Sequence, residues 1–348
     1  MAASLSTSSG GAAVEQFRRG GMEYRRLGKT DLHISLLAFG SHTDPAFKIT
    51  NGALGTVLNA EGQARRDHQI ARAFDLGVNL LDVYQSEGQW EPAARLARGR
   101  RGNILLSLAH TNPEFIGRNI DQAAKLFGHV DLYRFHTATI DGQALEFWDV
   151  LRKAKEAGKV RAIGIATHVE RTMLEALREL EGLDYLFFPY NFIHARADYS
   201  QLLPEAILKG TGLIAMKPLA AGSIVNLDPR PKQGARPEAE RIELWQTRNR
   251  PILPAAVAEL TKSLDRLPDE TLCMAAMRFV YSRPFVACAM TGMFDEQWVE
   301  DNYTALQRYQ KSGGDERAAL DAARAVARSQ GAAWVPRHYR WLEDRWGL

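Results

Sequence analysis

VDLYRFH at residues 130–136 and VRAIGIATH at residues 160–168 bracket a helical pattern, and this one unit decides the fold. The first run mixes β-branched and aromatic residues and ends on His136. Leu145, Trp148 and Leu151 then recur at helical spacing, with Phe147 and Leu151 one turn apart. Gly158 stands where a helix stops on a residue free to take positive φ. The second apolar run ends on Thr167-His168. Strand, helix and strand in so short a span make a βαβ unit with parallel strands. Both strands finish on polar residues at one edge of the sheet, where parallel α/β folds carry their chemistry.

The alternation extends both ways. Strands are expected at 33–38, 78–81, 104–108, 185–188, 212–216 and 285–289. Helices are expected over 63–75, 92–98, 113–127, 169–181, 202–208, 255–264, 271–281 and 296–309, with a Gly/Asn loop after His42. Eight strand–helix pairs in this length predict a (β/α)8 TIM barrel over residues 21–312. An open doubly wound sheet is the alternative, but no GxGxxG follows any strand. Residues 1–20, rich in Ser, Gly and Ala, read as a disordered leader. Residues 313–348 read as a helical extension with an aromatic tail that packs on the barrel or on a second subunit.

Composition narrows the function classes. Of 348 residues, 45% are hydrophobic and 24% charged, enough for a sizeable core. The net charge of +3 is too small, and the basic residues too scattered, for a nucleic-acid partner. No apolar run approaches the roughly 18 residues of a membrane helix. No apolar stretch follows Arg18-Arg19, so an export signal is not expected and a cytoplasmic location is. Cys273 and Cys288 read as buried free thiols. Oligomeric state has no signature.

The strand ends bring His42, Asp82, His110, His136, Thr167-His168, Tyr190-Asn191 and Lys217 to one mouth. Four of the nine histidines stand at four of these ends. A lone histidine there is ordinarily a loop residue, but the convergence points to a pocket.

At these residues the chain resembles the aldo-keto reductase superfamily, over about residues 22–310. Met22–Thr30 (MEYRRLGKT) resembles its opening hairpin, and Gly77–Asp82 (GVNLLD) its second strand with the active-site aspartate. Val130–His136 resembles the strand ending in the active-site histidine, and Gly158–Gly164 (GKVRAIG) is similar to its signature. Pro218–Gly222 (PLAAG), Gly292 and Glu300-Asp301-Asn302 resemble its cofactor segments. The resemblance implies reduction of a carbonyl, sugar-like or otherwise small, with a nicotinamide hydride. A tyrosine would donate the proton, activated by a lysine that an aspartate holds, and a histidine would orient the carbonyl.

Asp82 and His136 match that pattern. The family's tyrosine position falls on Glu87, leaving Tyr84 as the nearby tyrosine, and its lysine position falls on Ala109 or His110. The expected catalytic residues are thus Asp82, Tyr84, His110 and His136, with His110 or Tyr84 as proton donor. The expected cofactor contacts are Thr167, Asn191, Met216, Lys217, Pro218, Leu219, Gly222, Gly292 and Asn302. Met216 stands for the aromatic that stacks on the nicotinamide and Lys217 for the serine beside it. Met293, Phe294 and Asp295 follow Gly292 in place of the base that grips a 2′-phosphate, so the cofactor is NADP or NAD. Two alternatives stand beside a reductase. One is a catalytically degenerate barrel that binds or regulates. The other is a metal-dependent lyase or isomerase using Asp82, His110, His136 and His168.

Overall fold

The computed structural model describes residues 15–51, 55–84, 88–110, 115–192, 194–220, 224, 266–267, 269–312 and 346. The helix expected at 255–264 and almost all of the tail lie outside these residues. The strands are β1 (Gln16–Arg19), β2 (Met22–Arg26), β3 (His33–Ser35), β4 (Leu37–Phe39), β5 (Lys48–Asn51) and β6 (Gly55–Leu58). They continue as β7 (Leu80–Tyr84), β8 (Leu105–His110), β9 (Val130–His136), β10 (Val160–Ala166), β11 (Tyr185–Pro189), β12 (Gly212–Met216) and β13 (Cys288–Thr291). The helices are α1 (Ala60–Asp75), α2 (Trp90–Ala97), α3 (Ile116–Phe127), α4 (Gly142–Glu156), α5 (Glu170–Glu179), α6 (Leu202–Leu208), α7 (Leu272–Tyr281) and α8 (Glu296–Ser312).

β4 and β7 to β13 close into one barrel, and every pairing within it is parallel. The opening βαβ unit stands as read: β9 and β10 pair in register from Val130↔Val160 to His136↔Ala166. α4 between them starts where the Asp141 carboxylate accepts from Ala144 N at 2.9 Å. It stops in a double C-terminal turn, with Gly158 N donating to Lys155 O, Lys159 N to Ala154 O, and Gly158 at φ +73°. Its buried stripe is Ala144, Trp148 and Leu151; Leu145 is exposed.

Strand alternation separates two apolar layers. Ala38, Leu80, Leu132, Ala162, Tyr185, Ile214 and Cys288 fill the barrel interior. Leu37, Leu81, Tyr133, Ile163, Leu186 and Leu213 pack outward under the helices. The hairpin β2–β3 closes the N-terminal end, its Leu27, Leu32 and Ile34 joining the interior cluster. Among the described residues this leaves the C-terminal end to carry the pocket.

Three expectations need correction. The strand predicted at 33–38 is two strands: β3 pairs antiparallel with β2, and the chain turns into the barrel at β4. The segment read as a loop after His42 carries the hairpin β5–β6. The leader expected through residue 20 gives way at Gln16 to β1, which pairs with β2.

Candidate active site

The mouth is built on an ion pair that the sequence concealed. Asp82, on β7, is 1% exposed and Arg134, on β9, is wholly buried. The two guanidinium nitrogens donate to the two carboxylate oxygens at 2.6 and 2.9 Å, a fork-to-fork pair. Ser107, in register with Asp82 on the intervening β8, donates to the same carboxylate at 2.6 Å. It accepts from Arg134 at 2.7 Å. The Arg134 guanidinium also lies 4.0 Å from the centre of the Phe187 ring.

These contacts fix the charges. Burial pushes the Asp82 carboxyl up, but the Arg134 charge and hydrogen bonds from Arg134, Ser107 and Ser41 hold it below the ordinary value of 3.8. Burial likewise opposes the Arg134 charge, and Asp82 more than reverses it. The pair is ionised and mutually neutralised.

Two rings stand above it at the next inward position of each strand. Tyr84 ends β7 and His136 ends β9, with ring centroids 6.0 Å apart, edge to face. The His42 ring also approaches Tyr84 edge to face, with centroids 5.5 Å apart. Burial, aided by Asp82, raises the Tyr84 hydroxyl above its ordinary value against Arg134 and a hydrogen bond with Ser41. Burial, and then the positive Arg134, push His136 down to about 3, so its imidazole is neutral at physiological pH. His136 Nε2 is buried and has no hydrogen-bond partner among the described residues. A cleft of about 240 Å³ opens beside it, lined by His136, Thr137, Ala138, Ala166, Thr167, His168 and Val169.

The Gly40–His42 turn that brings in Ser41 is held from behind. Arg66 of α1 donates to the carbonyls of His42, Gly40 and Ser41 at 3.0, 3.1 and 3.4 Å. Its guanidinium also lies over the Phe39 ring at 5.2 Å.

The structure therefore brings Asp82, Tyr84 and His136 together. His110 ends β8 in register with Phe135, and its side chain lies outside the described residues, as do Glu87 and Gly222. Among the described residues no group of three or more His, Cys, Asp or Glu side chains converges to hold a metal ion. No helix among them is long and apolar enough to cross a membrane.

The other expected contacts lie on the rim of β10 to β13 and on α8. Thr167 follows β10, and its hydroxyl accepts from Val169 N at 3.2 Å. Asn191, fully buried past β11, donates from Nδ2 to Lys217 O at 3.0 Å and accepts at Oδ1 from His194 N at 2.8 Å. Met216 ends β12 inside the interior layer. Lys217 follows in the left-handed region at φ +56°, then the buried Pro218 and the half-buried Leu219. Gly292 follows β13, and a Cβ there would meet the Phe294 ring at 3.4 Å. Asn302 is buried on α8, where its carbonyl accepts from the Tyr281 hydroxyl at 3.3 Å.

Arg134, Ser107 and Ser41 were missed by sequence reasoning. The signal for Arg134 was strand parity: it stands two residues before His136, hence on the same inward face. Ser107 had no signal of its own, because its role comes from register with Asp82.

Known proteins agree with this architecture. The sequence profile of the aldo/keto reductase family matches residues 51–323. L-glyceraldehyde 3-phosphate reductase of Escherichia coli strain K12 is 24% identical over 323 residues, covering 83% of this chain and 89% of that protein. L-galactose dehydrogenase of Arabidopsis thaliana is 22% identical over 317 residues, covering 85% and 91%. Among solved structures, the holo form of aldo-keto reductase AKR11C1 from Bacillus halodurans superposes with a TM-score of 0.64 at 19% identity, covering 88% of this chain and 96% of that one. A barrel of this topology, with the family profile running through most of its length, places the chain in the aldo/keto reductase family, oxidoreductases that transfer a hydride between NAD(P)H and a carbonyl.

Proposed function

We propose that this chain reduces a small carbonyl compound with Tyr84 as proton donor and His136 as the group that orients the carbonyl oxygen. The observation that carries the reading is the convergence of these two rings, 6.0 Å apart, above a neutralised Asp82–Arg134 pair. A neutral imidazole with an unanswered Nε2 suits a carbonyl oxygen, to which it donates as negative charge develops. The Tyr84 phenol stays protonated at physiological pH and is still far more acidic than an alcohol, so it can protonate the forming alkoxide. Ser41 holds the phenol in place. Arg134 takes over the family lysine's link to the aspartate, from the neighbouring strand. It cannot release a proton, so its part is a fixed charge beneath the reacting atoms.

The dinucleotide is assigned to the rim of Thr167, Asn191, Met216, Lys217, Pro218 and Leu219, with Gly292 and Asn302 on the adenosine side. Bound there, it supplies the hydride. The fit rests on the His136 Nε2 left open for the substrate oxygen, and on Met216, a polarisable thioether at the mouth end of the interior layer.

NADH is the proposed partner. Asp295 is among the residues that follow Gly292 in place of the family's base for a 2′-phosphate, and it caps α8 by accepting from Gln297 N at 3.0 Å. It also lies 3.8 Å from Arg65, whose charge it answers. A carboxylate there favours a free 2′-hydroxyl. Fluorescence titration tests both points. NADH should bind about tenfold more tightly than NADPH, and Asp295→Lys should reverse the order. Binding of neither nucleotide removes the reductase reading. Binding without turnover of any aldehyde or ketone favours a regulatory barrel.

A further inference from the structure

Asn191 stands on the rim assigned to the dinucleotide, yet its side-chain amide is engaged at both ends within the protein. The residue is wholly buried. Its Oδ1 accepts from His194 N at 2.8 Å and its Nδ2 donates to Lys217 O at 3.0 Å. Its own N–H donates to His194 O at 3.2 Å, and Ala220 N donates to the same Lys217 oxygen at 2.8 Å. One amide thus ties the loop after β11 to the turn after β12. In that turn Lys217 and Ala220 take the left-handed region, at φ +56° and +51°. Side chains of these types keep that conformation only where their surroundings impose it, so the shape of the rim depends on the latch.

The base of the β11 loop rests on α7. The Tyr190 ring stacks on Phe279 with centroids 6.1 Å apart, and the Phe192 ring meets Phe279 edge-on at 5.5 Å. Further along, the wholly buried His194 meets Trp346 edge-on at 4.8 Å. Trp346 belongs to the 313–348 extension and is 4% exposed. Among the described residues its Nε1 has no hydrogen-bond partner, so its contribution to His194 is ring packing. Removing so large a buried ring leaves a cavity into which the His194 backbone relaxes. The Asn191 amide is bonded to that backbone and carries the shift to Lys217.

We propose that Trp346 is a positioning residue for the dinucleotide, packing the His194–Asn191 latch that sets the rim turn from Met216 to Ala220. The inference rests on the reductase reading for its ligand and goes beyond it by bringing a residue of the extension to the site.

The test measures NADH binding, turnover and amide hydrogen exchange in wild type, Trp346→Ala and Trp346→Phe. Trp346→Ala should raise the NADH Kd by about tenfold or more. Its kcat at saturating NADH should stay within about threefold of wild type. Trp346→Phe, which keeps a ring against His194, should hold the Kd within about threefold of wild type. In Trp346→Ala the Ala220 amide should exchange faster while β7 and β9 keep wild-type protection. An unchanged Kd in Trp346→Ala overturns the inference, as does a kcat loss with Kd preserved. So does protection lost evenly over the barrel, which would mark a residue of general stability. Should Trp346→Ala not fold, Trp346→Leu takes its place in the same comparisons. Should wild type not bind NADH, the reductase reading falls and exchange still decides the latch. Faster exchange confined to the Ala220 turn supports it, and wild-type exchange there overturns it.

Discussion

At the residue scale, the electrostatics of the mouth make predictions of definite sign. His136 titrates at about 3 in the folded chain against 6.5 when unfolded, so the unfolded chain binds the extra proton between those values. Folding stability should therefore fall as pH drops from 6.5 towards 3. Asp82, held below 3.8, adds a loss only beneath that value. Urea melts of wild type and His136→Gln at stepped pH should show a shallower acid slope in the variant; superimposable slopes would mean that His136 is solvated. Removing Arg134 alone leaves a buried carboxylate unpaired, so Arg134→Met should cost roughly 3–5 kcal/mol. Asp82→Leu combined with Arg134→Met should cost markedly less, and the two denaturation midpoints compare them directly. Part of this site was legible. Asp82, Tyr84 and His136 stood at strand ends with matching parity. The Asp82–Arg134 link was not, because it joins strands that are not neighbours and depends on Ser107 lying in register between them.

At the scale of elements, the catalytic turn depends on a helix. Ser41 reaches Asp82 and Tyr84 because Arg66, from the buried face of α1, grips three successive carbonyls of the Gly40–His42 turn. Arg66→Leu should lower kcat/KM by roughly 10- to 100-fold through a misplaced Ser41, while NADH affinity changes by less than about threefold. A loss carried wholly by NADH affinity would place the role of Arg66 elsewhere. Elements with strong periodicity were readable: α6 and β12 have the predicted bounds, and α1, α4 and α7 start at Asn59, Asp141 and Thr271 caps. The β5–β6 hairpin was not, because its strands are four residues each and pair only with one another. The first strand was misread because Ser35, the last residue of β3, is the single polar residue between Ile34 and Phe39, and one serine inside an apolar run does not mark where the chain leaves one sheet for the other.

Over the whole molecule, closure of the barrel sets both stability and the single open mouth. At Gly164 on β10, an added Cβ would sit 2.5 Å from Tyr185 O and 2.8 Å from the Tyr185 ring. Gly164→Ala should therefore cost about 2–3 kcal/mol in urea unfolding. The fold was legible because the βαβ alternation repeats along the chain, each unit confirming the last. The tail was legible only as an aromatic cluster. Trp346, its one described residue, is buried and lies edge-on to His194 at 4.8 Å. The most direct test of the account as a whole is the rate of NADH oxidation by an aldehyde, measured for wild type and for Tyr84→Phe at saturating NADH. The account predicts turnover by wild type and a fall of about 10²–10⁴-fold in kcat for the variant, with NADH affinity preserved. Turnover by Tyr84→Phe within a few-fold of wild type would contradict it.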